Sequence, residues 1–454
     1  MTSFRVTGLT AGLCALLLAA PAGAAPGVPV DGTLSERHMA LRVNDWHLSA
    51  AAMDALLRVV RLQNPRVTPS HVMAAVALDR VLGAHARRQY DDATLFAGER
   101  VRFSQQASSE ASLVTTLQTA FREPLAKAME PGEGHIVKRH PLTRARLVSL
   151  LDTGGRLRLD DRLPPAREAK LKDVPLIDGR VGTRPYRITL HDVWKQLDVQ
   201  GRNVLYRFDA DFAMQQARQL AHDRFVVEWS RQKSSLGTDG VEQLRQLVVD
   251  RHRRNALERL LGSGADPHYS SPEVERLQRS IEPAAIRDYY NTHKAEFART
   301  EKVLARTMRF TDESRARTAS AELARGAGFE DVARRRGGGD GAAKWINQQS
   351  ARGSWLAQLT FAQAPGPASP PVREPEVGAA LPGWVIVKVE KRITGVHPPD
   401  SETVRFAARE VLARQRAASR FASLRARLVA DARIDVNPKV LGFRTLPKML
   451  ESAP

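Results

Sequence analysis

Apolar positions along this chain recur mostly at three- and four-residue spacing, which predicts a mainly helical protein with a few short strands. A strand and turn are predicted at 41–49, with an amphipathic helix directly after them. Thr68 followed by Pro69 predicts a helix start, because a hydroxyl caps the first turn and proline fits the first helical position. A second strand-then-helix start is predicted at 176–193, and two long helices follow it between residues 214 and 261.

Residues 282–392 have the pattern of a compact βαβ-like unit. A helical stripe leads into a β-capable run at 303–310, and the helix that follows is predicted to end at Gly326. A glycine cluster at 337–341 then precedes a second strand at 383–389. The unit is therefore predicted to be a separate lobe between two mainly helical regions.

The rest of the chain is less distinctive. A long closing helix is predicted through residues 404–428, with a last short strand at 434–436. Region 88–175 has helical stripes but no motif. The strand-and-helix starts at 43–60 and 177–193 are loosely alike, which leaves open whether they repeat one module.

Length and composition predict a soluble globular protein of several domains, since the chain has 454 residues, 43% of them hydrophobic and 26% charged. The formal net charge of +19 makes nucleic acid a candidate partner. Arginines scattered at helical spacing are, however, more typical of solvated helix faces. The remaining interpretation of the positive charge is attraction to acidic polypeptides or to anionic lipid surfaces.

The first residues are predicted to be a secretory signal peptide. Arg5 precedes an apolar run at 9–20, and small residues at 22–24 provide a cleavage site after Ala24. A retained anchor is the alternative, although the run is short for the ~20 residues of a membrane span. Cys14, the only cysteine, lies in this run, so the mature protein is predicted to have no thiol, as suits a periplasmic protein. Export also argues against nucleic acid as a partner.

Five motifs follow one another over about a hundred residues. They are Tyr289-Tyr290-x-x-His293-Lys294-x-x-Phe297, Leu323-x-x-Gly326-x-x-Phe329, Gly338-Gly339-Asp340, Gly366-x-x-Ser369-x-Pro371-Val372 and Gly383-Trp384-x-Ile386-x-Lys388-Val389. In this order they resemble a parvulin-type peptidyl-prolyl isomerase domain, and the flanking regions are similar to those of the SurA, PpiD and PrsA group of exported folding factors.

The resemblance implies an α+β, mainly α fold, in which a SurA-like helical chaperone body carries one inserted, degenerate parvulin-like α/β domain. After the predicted signal peptide at 1–24, the resemblance implies the following division: an N-terminal helical chaperone-like region at 25–175, a second strand-helix module with long helices at 176–280, a parvulin-like domain at 281–395, and a C-terminal helix and strand at 396–454 that pack back on the helical body.

The resemblance also implies a proline-binding pocket with two facing histidines, an Asp or Cys before the Gly-Gly-Asp turn, and a Met/Phe pair. Aligning the two strands puts Thr307 and Val385 at the histidine positions, and Arg352 and Leu356 fall at the Met and Phe positions. The loop that should hold the Asp or Cys is shortened to residues 334–336. We therefore expect no catalytic residue here, and Thr307, Arg352, Leu356 and Val385 are predicted to contact peptide.

The resulting hypothesis is a periplasmic folding factor that binds unfolded exported polypeptides, outer-membrane proteins among them, with chaperone activity favoured over catalysis. It has no cofactor, no metal and no nucleic-acid partner, and it makes at most a weak contact with an anionic membrane surface. One alternative is an active peptidyl-prolyl isomerase. Another is an accessory protein of a secretion or polysaccharide-export system.

Other chemistry is weakly supported. Glu133, His135 and His140 are a close His/Glu group, predicted to lie in a surface loop rather than at a metal site. The glycine cluster at 337–341 lacks the lysine of a phosphate-binding loop and is predicted to be a tight turn. Ser369 has no histidine partner within its motif, which argues against a hydrolase triad.

Overall fold

The computed structural model describes residues 27–97, 105–129, 135–152, 163–264, 271–375, 383–442 and 448–450. The predicted signal peptide and Cys14 lie outside these residues. The chain forms two compact units: one combines the described residues up to Leu277 with those from Arg414 onward, and the other comprises Gln278–Ala413. The second unit is thus inserted into the sequence of the first, and the fold is α+β and mainly α, as predicted. Within the described ranges, every helix is too short or too polar to cross a membrane.

The elements are named in chain order. Up to residue 196 they are β1 Val28–Pro29, β2 Gly32–Thr33, β3 Met39–Val43, β4 Trp46–Ser49, α1 Ala50–Arg61, α2 Pro69–Gln89, α3 Asp92–Leu95, α4 Gln105–Ala120, α5 Arg122–Ala128, β5 Ile136–Arg139, α6 Arg144–Leu151, α7 Pro165–Lys172, β6 Pro175–Val181, β7 Arg184–Thr189 and α8 Leu190–Gln196. They continue as α9 Val199–Tyr206, α10 Ala210–Lys233, α11 Gly237–Leu260, α12 Pro272–Arg279, α13 Pro283–Thr292, a 3-10 turn at Lys294–Phe297, β8 Ala298–Phe310, α14 Glu313–Ala324 and α15 Phe329–Arg336. The last are β9 Lys344–Asn347, α16 Gln348–Arg352, α17 Trp355–Ala362, β10 Val372–Arg373, β11 Trp384–Val396, α18 Glu402–Ala430, β12 Ile434–Val436, α19 Pro438–Leu441 and β13 Met449–Leu450.

Side-chain caps define where several helices begin. The predicted start at Thr68 and Pro69 is confirmed, since the Thr68 hydroxyl accepts a hydrogen bond from the backbone of His71 in a capping box. Thr189 caps α8 in the same way, with Asp192 as its partner. Both predicted strand-and-helix starts are hairpins that run directly into a capped helix.

Two large apolar cores, together with a smaller cluster around Leu82, Leu257 and Phe421, stabilise the first unit. The larger one gathers buried side chains from α1, α2, α4, α10 and α11. The other lies where the β5-β6-β7 sheet packs against α6 to α10. Because apolar burial is the main driving force of folding, these cores fix the helices relative to each other. One helical stripe of region 88–175, formed by Leu113, Leu117, Phe121 and Leu125, is buried along α4 and α5, with a break between the two helices at Phe121.

The C-terminal strand closes the N-terminal sheet of the first unit. β12 pairs antiparallel with β3 and parallel with β2, which confirms the short strand predicted at 434–436. Asp435 is only 1% exposed and accepts two hydrogen bonds from the Arg42 guanidinium, at 3.0 and 2.7 Å. Ionic pairing and strand pairing therefore join residues almost four hundred positions apart.

We expect Asp435→Asn to lower the free energy of unfolding of the first unit by about 2 kcal/mol, because it removes the buried partner of Arg42. Urea unfolding followed by circular dichroism measures this. The control is Asp54→Asn, which breaks the exposed helical pair with Arg58 and should cost less than about 0.5 kcal/mol. Equal losses in the two variants would contradict the structural role of Asp435.

The second unit is a four-stranded sheet in the order β10-β11-β8-β9. All of its pairings are antiparallel, unlike the parallel strands of a true βαβ unit, and the long β8–β11 pairing places Thr307 opposite Val387. α14 and α15 contribute to a core on one face of the sheet, and α17 to a cluster on the other. The shortened loop predicted at 334–336 is wrong: these arginines form the last turn of α15, where Arg336 pairs with Glu322, and Gly337 ends the helix in the left-handed conformation, with φ 71°.

Candidate functional site

One face of the second unit's sheet brings together most of the positions that the sequence singled out. Side chains alternate between the faces of a strand, so every second residue of β8 and β11 points to this side. The buried cluster here consists of Val303, Ala305, Val385, Val387 and Val389. Trp355, Leu356 and Leu359 of α17 pack against it. The result is an aliphatic surface covered in part by a short helix.

Thr307 and Val385 lie on neighbouring strands of this face. Thr307 is half-buried and is two residues beyond Ala305, so it points to the same side. Val385 is 0% exposed and pairs in register with Arg309, one diagonal step from Thr307. The two positions that the resemblance assigns to histidines therefore do face one cluster, but they offer a hydroxyl and an isopropyl group.

The structure separates the other two predicted positions. Leu356 is half-buried and packs against the aliphatic cluster that contains Val385. Arg352 is exposed at the end of α16 and is not part of that cluster. The physical reason is a break between two helices at Gly353 and Ser354, since the Ser354 hydroxyl caps a new helix and turns Leu356 inward.

An ion pair that the sequence did not single out borders the face. Arg309 donates to Glu374 from Nε at 2.8 Å and from Nη2 at 2.6 Å. Glu374 also accepts from the backbone of Gly383 at 3.1 Å, which fixes the carboxylate at the start of β11. The period-two alternation of β8 could have placed Arg309 on the same face as Thr307 from the sequence alone. Glu374 could not have been found in this way, because it lies 65 positions later and contacts Arg309 only in the folded structure.

Residues 363–369 form a wall along the edge of β11. The backbone N–H of Ser369 donates to the carbonyl of Val387 at 2.7 Å, and the Ser369 hydroxyl accepts from the Val387 N–H at 3.0 Å. The Gln363 amide donates to the same carbonyl at 3.2 Å. Ser369 thus has a structural role in this wall. An apolar groove of about 530 Å3 lies between the wall and α17, lined by residues that include Leu359, Ala362, Pro365, Pro367 and Ala368.

The chemistry available on this face is binding rather than proton transfer. Its centre is aliphatic, and Thr307 is the polar position among the buried valines. The charged groups at its border, Arg309 and Glu374, already neutralise each other. Such a surface holds apolar side chains through burial and can hydrogen-bond a peptide through one hydroxyl.

The His/Glu group lies in the first unit and differs from its prediction. Glu133 lies outside the described residues. His135 is buried, with its ring centroid 5.0 Å from that of Phe225, so the predicted surface loop is wrong at this position. His140 Nε2 forms a hydrogen bond with Asp178 Oδ2 at 2.8 Å. Across the described ranges, no three His, Cys, Asp or Glu side chains are placed to hold a metal ion.

Comparison with protein families identifies this region. Residues 281–405 match the model of the PPIC-type PPIASE domain. This segment contains the β8–β11 face, Thr307, Leu356 and Val385. No curated protein matches the chain.

Several solved structures are similar to parts of the chain. The foldase PrsA of Streptococcus pneumoniae is 15% identical, with a TM-score of 0.20, and the match covers 41% of this chain and 64% of that one. One of the SurA-like chaperones described as PEB4 and Cj1289 of Campylobacter jejuni is 16% identical, with a TM-score of 0.19 and coverage of 50% and 87%. The peptidylprolyl isomerase PrsA of Bacillus anthracis is 17% identical, with a TM-score of 0.19 and coverage of 52% and 89%. This chain therefore spans less than two thirds of the Streptococcus foldase.

Proposed function

We propose that this chain, whose residues 281–405 form a PPIC-type PPIase domain, is an exported folding factor that binds unfolded polypeptides and acts by binding more than by catalysis. The domain supports the isomerase family, and the predicted signal peptide supports export to the periplasm. The helical regions on either side of the domain in sequence would be the chaperone body. Outer-membrane proteins are the clients that we propose for it.

The proposal that the domain binds rather than catalyses rests on the burial of Val385. A catalyst of prolyl rotation must favour the twisted amide over the planar one, against a barrier of ~20 kcal/mol, by placing polar groups around it. Val385 is instead fully buried in the aliphatic cluster against which the helix that carries Leu356 packs, and the next residue of β11 on this face is Val387. The site keeps an apolar surface for client side chains, with Thr307 as its central hydrogen-bonding group.

We expect the purified mature protein to delay aggregation of an unfolded outer-membrane protein at equimolar concentration, as followed by light scattering. In a parallel assay, a substoichiometric amount should leave the proline-limited refolding rate of a test protein unchanged. Leu356→Lys places a charge on the apolar face and should weaken the aggregation delay several-fold. Leu62→Lys is the matched control, because Leu62 is 71% exposed in the first unit.

Two results would contradict this proposal. A protein that fails to delay aggregation is not a general folding factor. Acceleration of refolding at substoichiometric concentration, lost in Leu356→Lys and kept in Leu62→Lys, would show that the domain is an active isomerase.

A further inference from the structure

A second concave site lies within the first unit. It is a cleft of about 300 Å3 between α4, α8, α10 and α11, with Ile188 of β7 in its wall. Its apolar lining comes from the aliphatic side chains of Val114, Ile188, Leu220 and Val227. Charged side chains from all four helices complete the lining. The cleft therefore combines an aliphatic wall with several charges, as expected for a site that holds a long amphipathic side chain.

Two of the three carboxylates in the cleft have partners within the fold. Glu110 forms an ion pair with Arg245 across α4 and α11. Asp192 accepts from the backbone N–H of Thr189 at 2.8 Å and from the Thr189 hydroxyl at 2.7 Å, as part of the α8 cap. These groups maintain the walls and are not available to a ligand without loss of structure.

Asp223 is the third carboxylate, and it lacks a cationic partner. Its hydrogen bond comes from the Gln219 amide, at 2.9 Å, one turn earlier on α10. Among the residues that the structure describes, no basic side chain forms an ion pair with it. Desolvation in the concave wall raises the pKa of Asp223 to about 6, and the Gln219 bond opposes this only in part. The carboxylate is thus open to the cleft yet poorly compensated, a state that a bound cation would relieve.

We propose that this cleft is a client-binding site for the arginine or lysine side chains of extended polypeptides. The aliphatic stem of such a side chain would lie along Leu220 and Val227, and its cationic end would pair with Asp223. A divalent metal ion is a poorer match, because it needs several oxygen ligands and the other two carboxylates are engaged. This proposal rests on the proposed function, since it specifies which client residues the first unit selects.

Binding of a cation at Asp223 requires the ionised carboxylate, so binding should weaken as the pH falls through about 6. The other charged or titratable groups around the cleft are Glu110 of α4, Asp192 and Lys195 of α8, His222 and Arg224 of α10, and Arg245 of α11. Burial lowers the pKa of His222 and so disfavours its charged form, and Asp223→Asn measured across the same pH series separates the contribution of Asp223 from that of His222.

The test uses the full chain and two labelled peptides that share one short, tyrosine- and leucine-rich sequence. One peptide has a central arginine and the other a central norleucine, and fluorescence anisotropy measures the two dissociation constants. We expect the arginine peptide to bind about tenfold more tightly near neutral pH, and the ratio to approach one at about pH 5. Asp223→Asn should abolish the preference at neutral pH. Asp211→Asn, an exposed change on the same helix, should preserve it.

Each outcome has a distinct meaning. Equal binding of the two peptides to the unaltered protein overturns the cleft proposal and leaves the proposed function standing. A preference that persists in Asp223→Asn, or that does not change with pH, also overturns it. If neither peptide binds, the proposed function fails together with the cleft proposal. The pH series on the unaltered protein provides a test that does not depend on how the variants fold.

Discussion

Val385→His is expected to destabilise the second unit by about 3 kcal/mol without producing isomerase activity. Although the resemblance assigns a histidine to this position, the side chain here is 0% exposed and belongs to the aliphatic cluster against which Leu356 packs. A larger imidazole must displace these neighbours, and its two ring nitrogens would be buried on an aliphatic face. Urea unfolding of the full chain, with limited proteolysis to locate the weakened unit, measures the loss.

Thr307→His is the matched control, because it introduces the same side chain on the same face. Thr307 is only half-buried, so the imidazole can reach water, and the expected cost is about 1 kcal/mol or less. The double variant should be no better a catalyst than the unaltered chain in proline-limited refolding. Restored catalysis with unchanged stability would show that the face opens readily and that histidine loss alone removed the activity.

The strand positions of the site, Thr307 on β8 and Val385 on β11, could be assigned to a face of the sheet from the sequence. A strand alternates with period two, so an alignment anchored at Gly383 and Trp384 assigns a face to Val385. The same logic holds for Thr307 within 303–310. In the structure both positions lie on the same face of the sheet, with Thr307 opposite Val387 and Val385 one diagonal step away.

Helical and turn segments were predicted less well, because their register depends on where each helix begins. Counting back from Gly366 put Arg352 and Leu356 at the Met and Phe positions of one pocket, but the Ser354 cap starts a new helix between them. Residues 334–336 were predicted to be a loop on the family's length alone. Their pairing with acidic side chains, such as that of Arg336 with Glu322, instead extends α15 to Gly337.

Contacts between distant parts of the chain could not be predicted from local pattern. Glu374 reaches Arg309, and Glu110 reaches Arg245, only because the fold brings their elements together. Asp223 lies on α10, where the sequence has no functional motif, and its unusual environment comes from the walls of the cleft. The sequence could therefore indicate the family and the strand positions, whereas the polar groups around both sites depend on tertiary packing.

Gly83→Val is expected to cost the first unit about 3 kcal/mol or more of unfolding free energy. Gly83 lies where α2 crosses α11, and a Cβ added there would lie 2.6 Å from the Cα, Cβ and carbonyl oxygen of Asp250. α11 cannot move away freely, because Asp250 is fully buried and paired with Arg80, and the next residue, Arg251, pairs with Asp79 at 2.9 Å. Separating the helices would leave these charges without partners.

Arg88→Val is the control for this crossing, since it places the same β-branched residue on an exposed position of α2 and should change stability by less than about 1 kcal/mol. Gly83→Ala separates helix propensity from packing. Alanine is more favourable than glycine in a helix by about 1 kcal/mol, so this substitution would stabilise the protein if it caused no clash. A net loss of unfolding free energy in Gly83→Ala would therefore come from the clash with Asp250. If Gly83→Ala were stabilising, the two backbones would have to separate without breaking the Arg80–Asp250 and Asp79–Arg251 pairs. The glycine would then be dispensable for holding α11, which forms one wall of the Asp223 cleft.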